Sequence, residues 1–101
     1  MQTTITGTTE DSPTILYDGV GVAAYGVEND STSGVNLNVK VSGLHAAGEY
    51  YTLAPGKGHP FRYGFRGITQ VVAWKAAAGT VTACHGKVAA VPAVNIREAG
   101  I

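Results

Sequence analysis

Between residues 35 and 41 the chain alternates strictly. Val35, Leu37, Val39 and Val41 fall on one parity, and Asn36, Asn38 and Lys40 on the other. A period of two marks a strand with one buried face. The polar, turn-rich run Glu28–Gly34 precedes it, and Gly43 with Ala46–Gly48 breaks it afterwards. Further strands are predicted at Glu49–Leu53, Pro60–Tyr63 and Ile68–Lys75, the last as a central strand. Thr80–Cys84 is read as pairing with the strand before it, and Lys87–Val91 as the final strand. Near the start, Thr14–Tyr17 and Val20–Ala24 flank Asp18-Gly19, a dipeptide that predicts a hairpin turn. Ala54–Gly58 predicts a type II turn, because Pro55 sets φ at its second position and Gly56 accepts a positive φ at its third.

The 14 glycines recur too often for long helices and leave room for short strands. The fold class expected is therefore all-β: one small β-sandwich, jelly-roll or immunoglobulin-like, of about seven or eight short antiparallel strands with extended terminal arms. Residues 1–12 read as an N-terminal arm, 13–94 as the sandwich domain and 95–101 as a C-terminal tail. At 101 residues, a single thin core is feasible.

Composition changes the picture in one respect. Charged residues are 14% of the chain, against about 25% in an ordinary soluble domain. Thr, Ser, Asn and Gly supply the polar surface instead, and such a surface is easily buried against neighbours because few ions must be desolvated. Formal net charge is zero, which gives no basic footprint for nucleic acid. No apolar run is long enough to span a membrane as a helix, and the first residues carry no secretion-signal pattern. Cys84 is the one cysteine, so no intrachain disulfide forms.

Catalytic and cofactor motifs are sparse. Gly19–Ala24 fits a relaxed G-x-G-x-x-A, but no helix is predicted to open there to hold a pyrophosphate. Gly56-Lys57 lacks the earlier Gly and the following Ser or Thr of a P-loop. His45, His59 and His85 match no compact ligand spacing, and are read as surface or interface residues. Cys84 and His85 are adjacent, which in a strand puts them on opposite faces. Asn29-Asp-Ser31 fits a glycosylation acceptor and is read as a turn. The expectation is a non-enzymatic chain with no metal and no cofactor. Phe61, Tyr63 and Phe65 alternate with Arg62, Gly64 and Arg66. The aromatics of this run are read first as core. The second reading is a partner interface of His59, Phe61, Arg62, Tyr63 and Arg66, since Tyr and Arg are common interface anchors.

Asn29-Asp-Ser, then the alternating strand with Ser42-Gly-Leu-His45, Gly48-Glu-Tyr, Leu53–Gly56, Gly67–Ala73 and Ala78–Thr82 follow in order. Across residues 28–90 this resembles the small β-rich virion proteins of tailed bacteriophages, of the capsid decoration or cement type. The resemblance implies a sandwich that sits on the outer surface of a phage major capsid protein lattice and stabilises it. It also implies a homo-oligomer, with a trimer favoured, assembled in the bacterial cytoplasm. The alternative is a carbohydrate-binding or head-fibre or tail-associated module, in which Trp74 and the Tyr50–Tyr51 pair would be exposed.

Overall fold

Folding the chain back on itself between Val41 and Tyr51 accounts for most of its strand pairing. In the computed structural model, which describes residues 1–63 and 67–88, eight strands run as β1 (Gln2–Thr4), β2 (Thr14–Val22), β3 (Ala24–Asn29), β4 (Leu37–Val41), β5 (Tyr51–Leu53), β6 (Gly58–Arg62), β7 (Ile68–Lys75) and β8 (Thr82–Lys87). Along this doubled ribbon β4 pairs with β5, β3 with β6, β2 with β7 and β1 with β8, all antiparallel. Rolling the ribbon then brings β7 beside β4 and β8 beside β3. Two four-stranded sheets result, ordered β1-β8-β3-β6 and β2-β7-β4-β5. The chain is the all-β sandwich its sequence implies, and this order is jelly-roll connectivity rather than immunoglobulin-like.

The core follows from the period of two. Leu37, Val39 and Val41 face inward from β4, Val71 and Ala73 from β7, Tyr25 and Val27 from β3, and Phe61 from β6. Ile5, Leu16, Leu53, Ile68, Val81 and Ala83 complete the same cluster. On the outer face of the second sheet, Lys40 of β4 meets the carboxylate of Glu10 at 2.7 Å. Asn29 ties the sheets together: its amide nitrogen donates to the carbonyls of Val35 (3.1 Å) and Leu53 (2.9 Å). Asn29 is therefore a buried structural residue rather than an exposed glycan acceptor. The turn after it is closed by Asp30, which accepts from the backbone of Thr32 and Ser33.

Three local expectations change. Asp18-Gly19 makes no hairpin. β2 runs through it, with register shifts between Ile15 and Tyr17 and between Asp18 and Val22, and the crossing to β3 comes at Ala23. β8 pairs with β1 and β3, not with β7. The first residues are extended, but β1 and Ile5 join their own sheet and core. Of the final strand expected at Lys87–Val91, Lys87 ends β8; positions 89–91 and the tail at 95–101 lie outside the described residues. Gly19 and Gly21 lie in a strand, so no helix opens after them.

Gly7 marks where the chain leaves β1 for the second sheet. A Cβ there would lie 2.6 Å from the backbone nitrogen of Thr14 and 2.7 Å from the backbone of Pro13. Those atoms cannot yield without shifting the start of β2. Gly7→Ala is expected to destabilise the fold by about 1–3 kcal/mol, read as a lower urea midpoint with an unchanged slope.

Candidate interaction surface

One side of the sandwich is closed by β5 and β6, the last strands of the two sheets. Their connection is the turn expected from sequence: Lys57 N–H donates to Ala54 O at 3.0 Å, and Gly56 takes φ +86°. This tight link brings Tyr51 of β5 over His59 of β6. The rings stack with centroids 4.4 Å apart. Phe61 lies beneath, with its centroid 4.8 Å from His59 and 5.5 Å from Tyr51 in edge-to-face contacts. His45, from the loop after β4, adds a further edge contact to Phe61 at 6.0 Å. Val41 N–H donates to His45 Nδ1 at 3.0 Å, so Nε2 holds the proton of the neutral ring. Gly43, at φ +86°, leaves room for the Tyr63 ring to pack over the loop.

The sequence-derived interface residues thus separate. Phe61 is 1% exposed and belongs to the core, so it offers a partner no surface. Arg62 points outward and is exposed; His59 and Tyr63 are half-buried. Arg66 lies outside the described residues. Tyr51 (40% exposed) and Tyr50 (48%) are exposed, as the carbohydrate-binding alternative expects, but lie outside the interface set drawn from the Phe61 run. Trp74 is 5% exposed, with Tyr50 edge-on at 5.2 Å, and has no open face for a sugar ring.

The histidines do not gather. His45 and His59 flank Phe61, whereas His85 lies on β8 in the core. The reading of His85 as a surface residue is corrected: it is 2% exposed. Its Nδ1 lies 2.7 Å from Tyr25 Oη and its Nε2 2.8 Å from Thr3 Oγ1. Among the described residues no three His, Cys, Asp or Glu side chains converge to hold a metal ion. No helix among them is long and apolar enough to cross a membrane.

Burial pushes all three histidines below the ordinary imidazole value of 6.5. For His59 the neighbouring His45 adds to the effect, and for His85 the α-amino group of Met1 does. The ledge of Tyr51 and His59 is thus uncharged near neutrality. Between each folded value and 6.5 the unfolded chain binds more protons, so stability falls as pH drops below 6.5. The urea midpoint should be lower at pH 5 than at pH 7.5, and His59→Phe, which keeps the stack, should flatten that dependence. An unchanged midpoint across this range would contradict the burial of these rings.

Among the described residues, the sheet edges are all blunted. β1 and β5 are three residues each, β6 carries Pro60, and β2 is irregular at two places. Short strands, proline and bulges are devices that prevent edge-to-edge pairing. Contact with another molecule at the β5–β6 side therefore falls to side chains: Tyr50, Tyr51, His59 and Arg62. No protein-family model, no curated protein and no solved structure matches this chain.

Proposed function

We propose that the chain is a structural virion protein, a decoration or cement subunit that docks on the outer surface of a phage capsid lattice and stabilises it. The observation that carries this reading is the neutral aromatic ledge of Tyr51 and His59, with Arg62 exposed on the opposite parity of β6, on an edge that resists strand addition. Tyr and Arg are the residues that anchor protein interfaces. A surface with few ions loses little on desolvation. Each such contact is weak, and an oligomer touching several capsid subunits at once turns weak contacts into durable attachment. Jelly rolls serve in viral shells and also in lectins, so fold alone decides nothing. The buried Trp74 weighs against the carbohydrate-binding alternative.

The test is cosedimentation with emptied phage heads, set against unassembled capsid protein. The chain should pellet with heads and ignore the unassembled protein. Arg62→Glu, exposed and outside the core, should weaken pelleting about tenfold. A chain that stays in the supernatant with heads refutes the reading.

A further inference from the structure

The first twelve residues are fastened to the sandwich at two titratable points, and between them Thr14 Oγ1 accepts from the N–H groups of Thr6 at 3.0 Å and Gly7 at 2.8 Å. At one end Thr3 Oγ1 meets His85 Nε2, and His85 Nδ1 meets Tyr25 Oη. The Tyr25 hydroxyl donates to Leu16 O at 3.1 Å. Its one proton is thereby used, so His85 Nδ1–H donates to Tyr25 and Nε2 accepts from Thr3. At the other end the Glu10 carboxylate accepts from Lys40 Nζ at 2.7 Å and from Gly48 N–H at 3.1 Å. Between these points β1 pairs, among the described residues, with β8 alone, Ile5 N–H donates to Val81 O, and Gly7 O accepts from Lys75 N–H. Thr8, Thr9, Asp11 and Ser12 are exposed, with only a turn at Thr9–Ser12 among them.

We propose that residues 1–7 exchange between copies: the first strand of one molecule seats on β8 of a second, with residues 8–12 as the hinge. The inference deepens the self-association in the proposed function and does not depend on a capsid. Three observations carry it. The contacts of β1 are the same in either molecule, so tethering decides between them. A five-residue hinge spans up to about 17 Å when extended. With β1 lifted, β8 presents six residues without proline or bulge, in contrast to the blunted edges elsewhere.

Both fasteners titrate in the same direction. Burial holds His85 neutral; the groups facing it are Thr3 and the Met1 α-amino group from the first strand, Tyr25 from β3, and Leu16 and Tyr17 from β2, with Lys87 on its own strand. None of these is an anion that would welcome an imidazolium, and the Met1 ammonium repels one. Glu10 is held below the usual carboxylate value by Lys40 first and by Gly48 N–H second, with Asp11 beside it. Acid thus loosens the His85 point below 6.5, and the Glu10 point only below 4.5, so a step at pH 5 acts on the first alone.

The register supplies the test. Met1 and His85 exchange both backbone hydrogen bonds, which makes Gln2–Cys84 the adjacent non-hydrogen-bonded pair. Such pairs bring Cα atoms to about 4.5 Å, within disulfide reach. Gln2→Cys alone should close an intrachain disulfide, which shows that the pair can be bridged. Gln2→Cys/Cys84→Ser is then mixed with the unaltered chain, so that neither molecule can bridge internally. The mixture is held at pH 5, returned to pH 8 and oxidised. Exchange gives a mixed disulfide dimer as the main product, several-fold less abundant when the acid step is omitted. Only like-with-like dimers, or no dimer, would overturn the proposal, and cosedimentation with heads would stand or fall separately.

Discussion

Phe61→Ala is expected to lower the unfolding free energy by about 3–5 kcal/mol, the range for removing a fully buried aromatic ring. Phe61 heads the fully buried side chains by volume, and Tyr51, His59 and His45 all pack on it. The cavity would sit where the two sheets close at β5 and β6, and three rings would lose their common support. A domain of this size has about 5–15 kcal/mol in hand, so the variant stands near the limit of folding. Its neighbour Arg62 is exposed, and Arg62→Ala should stay within about 0.5 kcal/mol of the parent. Urea unfolding of the two variants side by side decides whether the aromatic–arginine run divides into core and surface. Were Phe61 a docking anchor, its variant would unfold like the parent and fail only in binding.

Ile5→Ala is expected to cost about 2–5 kcal/mol. Ile5 is 2% exposed and sits in the main core cluster with Val81 and Ala83. It lies just past β1, where its N–H donates to Val81 O at 2.9 Å. A residue on a loose arm would tolerate the change with a shift of a few tenths of a kcal/mol. Thermal unfolding separates the two cases: a large drop in midpoint places the first strand inside the cooperative unit, and no drop would detach it.

How much of this fold is legible in the sequence depends on the range of the interaction. Leu37–Val41 is a strand where the alternation puts it, and Ile68–Lys75 is one where its β-branched and aromatic residues put it, because both signals are local. The Pro55-Gly56 turn is likewise local, since proline and glycine restrict their own backbone. Asp18-Gly19 misleads for a physical reason. A tight hairpin of that type needs positive φ at both central residues. Here neither residue adopts it; β7 instead offers a continuous ladder along which β2 stays paired through its irregularities. The partners of β8 lie in the N-terminal third of the chain, and no neighbouring residue reports such a pairing.

The candidate site was half legible. Alternation separates Phe61 from Arg62 and puts His85 on the same parity as Val81 and Ala83, which points it inward. The partners of His85 were not legible, because Thr3 and Tyr25 approach it from strands remote in sequence. The Tyr51–His59 stack depends on two edge strands from different sheets lying opposite each other, a matter of topology rather than pattern.

A reconstruction of the phage particle at side-chain resolution would test the functional claim most directly. Copies of this sandwich should sit on the outer face of the shell at lattice-related positions, with Tyr51, His59 and Arg62 against the capsid protein. A particle whose exterior lacks the chain, or carries it with that ledge turned to solvent, would contradict the account.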